Sequence, residues 1–402
     1  MKNIKTQTMT TPLMQTYQHF PINAIKGKKN YLWDDKGKKY LDFTSGIAVL
    51  ALGHQPKTVL NAIEKQLHKL WHCSNLYHIP QQRKLANQLT KLTCFDQVFF
   101  CNSGAEANEA AFKLARRYAN LALGKKVGHI ISFKNSFHGR TLGTLTATGQ
   151  MNLHKTFGPM LPGFSFLPYN DKESLNKISQ DKNCIAVILE LVQGEGGIIP
   201  ANKKWIQKLA KICSTKQILL IVDEVQTGIG RTGSFYAYQQ YGIKPDILTS
   251  AKALASGFPI GAMMAKKKIS SFFTPGTHGS TFGGNPLVMT AGIATINAIN
   301  KNNILKNCQI KSKYIFKKLN QVEKNFPKII SQVRGLGLMI GIKTKLPAIQ
   351  IVNKLRDNYH LLILTAGKNV VRILPPLTVK YKQINYFIYA LTKTFKKMEK
   401  NL

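Results

Sequence analysis

Acidic residues are scarce in this chain of 402 residues, in which 18 aspartates and glutamates stand against 57 lysines and arginines. The formal net charge of +39 would suit a protein that binds nucleic acid or another polyanion. Arginine is scarce as well, however, because only eight of the basic residues are arginines. No segment interleaves arginines with aromatic residues, as nucleic-acid-binding elements do. The composition therefore favours a lysine-rich solvated surface, and a polyanion-binding protein remains the alternative from another class.

Features of exported and membrane proteins are also missing. No apolar run approaches the roughly 20 residues that cross a bilayer, so no membrane association is expected. Residues 1–18 lack the apolar core and the cleavage site of a secretory signal. The six cysteines form no Cys-x-x-Cys pair, and several stand inside apolar runs. These absences predict a reduced, cytoplasmic location.

Five apolar runs between residues 95 and 252 predict strands of a parallel sheet. The runs are apolar throughout rather than alternating, which is typical of strands buried on both faces. Segments with helical spacing, such as residues 103–120 and 202–216, separate them. This βαβ series predicts an α/β fold with a large, doubly wound, mostly parallel sheet and a second, smaller α+β domain. The predicted strands are residues 96–100, 129–133, 184–190, 217–224 and 246–252.

The chain is long enough for two packed units, and its character changes along its length. Residues 1–58 are expected to form the N-terminal segment of the small domain. Residues 59–298 would form the large domain, and residues 299–402 the C-terminal part of the small domain.

Polar residues gather at the ends of the predicted strands, where a doubly wound sheet binds its ligand. The short segments 101–109, 190–197 and 222–226 hold six of the 18 acidic residues. The histidines match no common metal-ligand spacing, so no metal ion is predicted. The strand-end candidates are Asn102 to Gly104, Phe137 to Arg140, Glu190, Asp223 and Lys252.

A turn with Ser103 and Gly104 leads from a strand directly into a helix. Unpaired N–H groups and the helix dipole make such an N-terminus a phosphate site. Ser103 followed three residues later by Glu106 is also the pattern of a plain capping box, and this alternative stays open. Asp223 and Lys252 add a carboxylate and an amine at neighbouring strand ends. Together, the three features indicate pyridoxal 5′-phosphate, which bonds to a lysine and pairs its ring nitrogen with a carboxylate.

Six motifs then carry a resemblance to a known family. They are FFCNSGAEANEAAFKLAR, SFHGRT, ELVQGEGG, VDEVQTGIGRTG, SAKAL and HGSTFGGNPL. With them the chain resembles the class-III, ornithine-type aminotransferases over about residues 31–377, and most closely the acetylornithine members of that family. The resemblance implies the aspartate-aminotransferase-like fold, which is pyridoxal-phosphate fold type I.

The resemblance assigns the catalytic centre to the strand ends. It implies that Lys252 holds the cofactor covalently and moves the substrate proton, and that Asp223 pairs with the ring nitrogen. Phe137 would stack on one face of the ring and Val225 on the other. Gln226 would lie beside the ring hydroxyl.

The resemblance also assigns a phosphate site that two subunits share. Ser103, Gly104 and Ala105 would bind the cofactor phosphate through the helix N-terminus. Thr281 would reach the phosphate of the neighbouring subunit, which implies a homodimer with shared active sites.

For the substrates, the resemblance points to two arginines. Arg140 would bind the α-carboxylate in a bidentate fork, and Ser280 would lie at the substrate site. Glu195 would pair with Arg372 while the amino donor is bound and would release it for the second carboxylate of 2-oxoglutarate. A purely structural ion pair between Glu195 and Arg372 is the alternative.

Two further carboxylates receive supporting roles. Glu224 would face away from Asp223, because neighbours on a strand point to opposite sides, and would bond within the following loop. Glu190 would support the site without touching the substrate.

The implied reaction is transamination of N-acetylornithine with 2-oxoglutarate, a step of arginine biosynthesis. Substrates that would fit nearly as well are succinylornithine and N-succinyl-diaminopimelate precursors. Ornithine and other ω-amino acids are further alternatives on the same scaffold, as is an aminomutase, which needs no keto-acid acceptor.

Overall fold

A computed structural model describes residues 12–400 of the chain. The first eleven residues of the predicted N-terminal segment, with most of the stretch examined for a signal, lie outside the described residues, as do the last two residues. The strands are β1 (Ala24–Lys28), β2 (Tyr31–Asp34), β3 (Lys39–Asp42), β4 (Gln97–Cys101), β5 (His129–Phe133), β6 (Phe164–Leu167), β7 (Cys184–Glu190), β8 (Val192–Gln193), β9 (Ile199–Pro200), β10 (Leu219–Asp223), β11 (Ile247–Ala251), β12 (Gly261–Ala265), β13 (Ile330–Leu336), β14 (Met339–Thr344), β15 (Leu361–Leu362), β16 (Leu364–Thr365) and β17 (Val370–Ile373).

Helices surround these strands, and two short 3₁₀ turns cover Met151–Leu153 and Lys252–Ala255. Every helix in the part of the chain described is too short or too polar to span a bilayer. The helices are α1 (Ser45–Ala48), α2 (Lys57–Leu67), α3 (Pro80–Lys91), α4 (Gly104–Leu123), α5 (Leu142–Ala147), α6 (Lys172–Gln180), α7 (Lys203–Thr215), α8 (Tyr238–Tyr241), α9 (Lys267–Ser270), α10 (Pro286–Lys301), α11 (Ile304–Asn325), α12 (Ala348–Tyr359) and α13 (Tyr381–Glu399).

A seven-stranded sheet forms the centre of the molecule, in the order β4-β12-β11-β10-β7-β5-β6. Neighbouring strands from β11 to β6 are parallel, and β12 is antiparallel to both β11 and β4. Along β7, Val187 and Leu189 pack into one buried cluster, and Ala186 and Ile188 into another. The sheet is therefore covered on both faces, and the predicted α/β fold with a mostly parallel sheet is confirmed.

The five predicted strands lie within one or two residues of β4, β5, β7, β10 and β11. The strands β6 and β12 were not predicted. The β12 sequence GAMMA has neither β-branched nor aromatic residues, so its local propensity for a strand is low. Its pairing with β4 and β11 stabilises β12 as a strand despite this low propensity.

The C-terminal part of the chain builds a second sheet, in the order β13-β14-β17-β16. The N-terminal strands β1 to β3 form a third sheet with β15, and Leu41 of β3 pairs in parallel with Leu361 of β15. The two ends of the chain thus meet in one sheet. The domain boundaries at residues 58 and 298 stay a prediction.

Candidate active site

A cavity of about 460 Å³ opens at the carboxyl ends of β7, β10 and β11, beside the first turn of α4. Except for Thr281, every residue predicted to bind the cofactor lines it, and so does Arg140. The cavity wall also includes Val49 and Phe258, which were not predicted. The fold therefore brings together side chains that lie between residues 49 and 260 of the sequence.

Helix α4 begins at the cavity with Ser103 as its N-cap. The Ser103 hydroxyl accepts a hydrogen bond from the Glu106 N–H at 3.1 Å, and the Glu106 carboxylate accepts one from the Asn102 N–H at 3.0 Å. The capping contact between Ser103 and Glu106, which the sequence left open as the alternative, is thus present. It leaves the remaining N–H groups of the first turn without partners inside the helix, so they are available to an anion.

Gly104 lies against Val225 at this helix start. A Cβ atom on Gly104 would come within 2.7 Å of a Val225 methyl carbon, closer than real Cβ atoms approach. The helix N-terminus can therefore reach the end of β10 only with glycine at this position.

The Asp223 carboxylate is held on both oxygens at the end of β10. One oxygen accepts a hydrogen bond from Asn108 Nδ2 and lies 2.8 Å from His138 Nδ1, and the other accepts one from the Val225 N–H at 3.0 Å. A neutral His138 facing a carboxylate carries its proton on Nδ1 and donates it. Asp223 is 4% exposed, so its orientation is determined by protein groups rather than by water.

Sequence reasoning missed these orienting roles. Asn108 and His138 both stand inside quoted motifs, but neither had a role in the predicted chemistry. The one available signal was a polar amide on the apolar face of α4, where Asn108 is 1% exposed among alanines.

Glu190 and Glu224 are buried carboxylates that accept hydrogen bonds from different segments. Glu224 accepts hydrogen bonds from the Thr227 hydroxyl and from the backbone N–H groups of Ala237 and Tyr238, so it braces the following loop as predicted. Glu190 accepts from the Phe137 N–H at 3.0 Å. Burial raises the pKa of both Glu190 and Glu224 to about 7.

Lys252 follows β11 immediately and has a left-handed backbone, with φ of 46°. Such a conformation in a residue other than glycine stores strain, which is common at functional sites. Burial lowers the pKa of Lys252 below its ordinary value, while the carboxylates of Glu195 and Asp223 oppose that shift. A lowered pKa makes the neutral, nucleophilic amine more accessible.

Two polar atoms at the cavity are buried without a protein partner in the described part of the chain: Gln226 Oε1 and His138 Nε2. Buried polar atoms are normally satisfied, so unsatisfied ones at a cavity mark a ligand's place. With the α4 N-terminus, Asp223 and Lys252, these atoms fit a phosphorylated pyridine aldehyde. The residues present therefore fit pyridoxal phosphate.

The residues predicted to bind substrate lie in different surroundings. Arg140 is exposed, and its guanidinium lies 5.6 Å from the centre of the Phe137 ring. Ser280 Oγ accepts from Asn102 Nδ2 at 3.3 Å, which places it near the α4 N-terminus. Thr281 is exposed and does not line the cavity of its own chain.

Glu195 and Arg372 form an ion pair, with Oε1 and Nη1 2.5 Å apart. Arg372 is 4% exposed and lies on β17, while Glu195 lies in the turn between β8 and β9. The charges of Glu195 and Arg372 both act on the pKa of Lys252, although neither residue lines the cavity. Arg372 Nε is buried and makes no hydrogen bond with residues 12–400.

A mostly parallel sheet whose strand ends present a lysine, an aspartate and the N-terminus of a helix has the features of a pyridoxal-phosphate enzyme. The solved structures agree. The fold matches the ornithine aminotransferase of Toxoplasma gondii with a TM-score of 0.94 and 29% identity, covering 97% of this chain and 94% of that one. It matches the N-acetylornithine aminotransferase of Stenotrophomonas maltophilia with a TM-score of 0.83 and 32% identity, covering 95% and 97%.

The family description "Aminotransferase class-III" matches residues 13–395. The acetylornithine aminotransferase of Oceanobacillus iheyensis is 53% identical over 386 residues, 96% of each chain. That of Listeria innocua is 48% identical over 95% of this chain and 97% of its own. The chain belongs to the class-III aminotransferases. The predictions of family, cofactor and aminotransferase activity are confirmed.

Proposed function

We propose that this enzyme transfers the amino group of N-acetylornithine to 2-oxoglutarate, forming N-acetylglutamate semialdehyde and glutamate. The observation that carries the proposal is the Glu195–Arg372 ion pair, in which one carboxylate covers a buried arginine and both charges act on Lys252. The donor has one carboxylate and a neutral acylated side chain, whereas the acceptor has two carboxylates. While the donor is bound, the carboxylate of Glu195 covers Arg372. When the acceptor is bound, that carboxylate moves away and Arg372 binds the second carboxylate of the acceptor. Relatives named acetylornithine aminotransferase at 43–53% identity support this choice of donor.

Each proposed residue has a defined task. Arg140 binds the α-carboxylate that donor and acceptor share, because its planar guanidinium matches a carboxylate with two hydrogen bonds. Lys252, as a free amine, would carry the proton away from the substrate α-carbon. Asp223 would hold a proton on the ring nitrogen of the cofactor. Pyridoxal phosphate, when bound, supplies an aldehyde for the amine and a ring that accepts the electron pair of the broken C–H bond.

We also propose a cytoplasmic homodimer in which Thr281 binds the phosphate of the other subunit. Thr281 stands beside Phe282, which is 61% exposed, and Phe282 contacts His72. Neighbouring Trp71 and Leu76 are 60% and 89% exposed. An apolar surface of this kind is typical of subunit contacts. The six cysteines are unpaired, which supports a reducing compartment.

The test is an absorption titration of the purified enzyme with pyridoxal phosphate bound. N-acetylornithine should bleach the band of the aldehyde form, and 2-oxoglutarate should restore it. Succinylornithine, N-succinyl-diaminopimelate and ornithine are compared at equal concentration. If ornithine bleaches the band faster than N-acetylornithine does, the proposed donor is wrong. If the substrate is isomerised without any keto-acid acceptor, the enzyme is an aminomutase.

A further inference from the structure

Two arginines donate hydrogen bonds to the segments that carry Glu195 and Arg372, and in both cases to backbone carbonyls instead of carboxylates. Arg334 on β13 donates through Nε and Nη2 to the carbonyl of Gly197, at 3.0 and 2.7 Å. Gly197 lies two residues beyond Glu195 in the same turn. Gly197 has φ of 111°, a backbone conformation that favours glycine, and a Cβ there would come within 2.9 Å of Arg334 Nη2.

Arg231 makes the corresponding contact with the segment that carries Arg372. Its Nη1 donates to the carbonyls of Pro375 and Leu338, at 2.5 and 3.1 Å. Pro375 lies three residues beyond Arg372. Arg231 is 1% exposed, and among residues 12–400 it takes part in no ion pair. A charge is costly to bury, and of its two hydrogen bonds one goes to the segment that carries Arg372 and the other to the turn between β13 and β14.

The two halves of the pair come from different parts of the fold. Glu195 lies on the β8–β9 hairpin, which follows a strand of the seven-stranded sheet, while Arg372 belongs to the C-terminal sheet. Val192 and Ile198 of the hairpin pack with Met339 and Val370 in one small apolar cluster. Apolar packing holds the hairpin against the C-terminal sheet, but it does not fix the position of a charged group to within a hydrogen-bond length. Directed hydrogen bonds from an arginine fix such a position.

We propose that Arg334 and Arg231 are positioning residues for the exchange of substrates, Arg334 holding Glu195 over Arg372 and Arg231 holding Arg372 in the site. The inference rests on the proposed role of the Glu195–Arg372 pair. It has a directional consequence. Without Arg334, Glu195 covers Arg372 less often, so a dicarboxylate binds more tightly. Without Arg231, Arg372 is misplaced, so a dicarboxylate binds more weakly.

The experiment measures binding of glutarate, a dicarboxylate that cannot react, to the pyridoxal-phosphate enzyme by titration calorimetry. Pentanoate, with one carboxylate and the same chain length, reports on the rest of the site. We expect the Kd for glutarate to fall about threefold in Arg334→Met and to rise about threefold in Arg231→Lys, since each change removes part of a charge-assisted contact. The Kd for pentanoate should stay unchanged in both variants.

The matched control is Arg356→Met. Arg356 is a largely buried arginine of α12 that hydrogen-bonds with Asp357 and Asn353, and neither partner belongs to the site. This variant should lose stability without any change in glutarate affinity. If Arg231→Lys does not fold, Arg231→Gln is measured in its place. Glutarate affinity that shifts in the same direction in the Arg334 and Arg231 variants, or stays constant in both, overturns the proposal.

A double-mutant cycle tests whether Arg334 acts through Glu195. In a Glu195→Gln background the cover over Arg372 is already weakened, so adding Arg334→Met should leave glutarate affinity unchanged. An additive effect would show that Arg334 acts by another route.

Failure of the proposed function itself has a different signature. Arg372→Ala should slow the 2-oxoglutarate half-reaction much more than the N-acetylornithine half-reaction. If Arg372→Ala slows both equally, the role of the ion pair is wrong and the positioning proposal falls with it. If Arg372→Ala is selective but the two flanking arginines have no effect, only the positioning proposal is wrong.

Discussion

Asp223 and Glu224 are neighbours in the sequence, and their side chains lie in different environments. Asp223 lines the cavity and is oriented by Asn108 and His138, whereas Glu224 turns into the protein and holds three donors of the following loop. Alternation along an extended backbone explains the division. Because both carboxylates are buried, each serves as the natural control for the other.

Asp223→Asn should lower turnover by roughly 10²- to 10³-fold, because asparagine cannot hold a proton on the ring nitrogen by charge. Glu224→Gln should leave turnover almost unchanged and lower the melting temperature, because the loop loses part of its hydrogen bonding. Steady-state kinetics and thermal unfolding of both variants check this pair of outcomes. A large loss of turnover in Glu224→Gln, with Asp223→Asn nearly normal, would reverse the two assignments.

Lys252→Ala should abolish the absorbance band of covalently held cofactor and all measurable turnover, while the far-ultraviolet circular dichroism stays that of the folded protein. The reason is that no other described lysine lines the cavity. Lys266→Ala is a suitable control, since Lys266 pairs with Asp246 away from the cavity. Substantial turnover in Lys252→Ala would contradict the assignment of the catalytic lysine.

At the scale of elements, the start of α4 depends on a close fit with the end of β10. Gly104→Ala would place a Cβ 2.7 Å from a Val225 methyl carbon, so the first turn of the helix would move away from the cavity. We expect the affinity for pyridoxal phosphate to fall about tenfold or more, because the cofactor phosphate loses one to two good hydrogen bonds. Equilibrium binding of pyridoxal phosphate to the apoenzyme measures this change in affinity.

Val225→Ala provides the control for that prediction. If the fall in affinity comes from the clash, Gly104→Ala should cost less in a Val225→Ala background than in the native chain, because the space has been restored. An equal cost in both backgrounds would assign the effect to helix geometry rather than to contact with Val225.

No sequence pattern predicts the turn α1. Its residues Ser45, Gly46, Ile47 and Ala48 all have φ between 49° and 65°. Left-handed backbone is unfavourable for three of these four residues, and for the β-branched Ile47 above all. The turn is held from outside, since the Ser45 hydroxyl donates to the carbonyl of Leu374 at 2.7 Å. It carries Val49 to the cavity wall.

At the scale of the whole molecule, the net charge of +39 predicts weak binding to polyanions in addition to catalysis. Lysines dominate, and they are spread along the chain, so binding should be sequence-independent and sensitive to salt. Retention on heparin should be detectable at about 0.05 M salt and lost by about 0.3 M, and Lys252→Ala should be retained equally. Sequence-selective DNA binding that persists at about 0.3 M salt would instead support the alternative that the chain is a polyanion-binding protein.

The sequence by itself determined the α/β class, the five parallel strands and the strand-end residues Ser103, Asp223 and Lys252. These features depend on local periodicity and on motifs whose residues lie close together in the chain. The family resemblance supplied the pairing of Glu195 with Arg372, whose residues lie 177 positions apart.

Only the tertiary structure decided the rest. The strand β12, the left-handed turn α1, the orientation of Asp223 by Asn108 and His138, and the contacts of Arg231 and Arg334 all join segments far apart in sequence. The physical reason is common to them. Each is stabilised by partners that the local sequence does not contain, so its free energy becomes favourable only once the surrounding fold has formed.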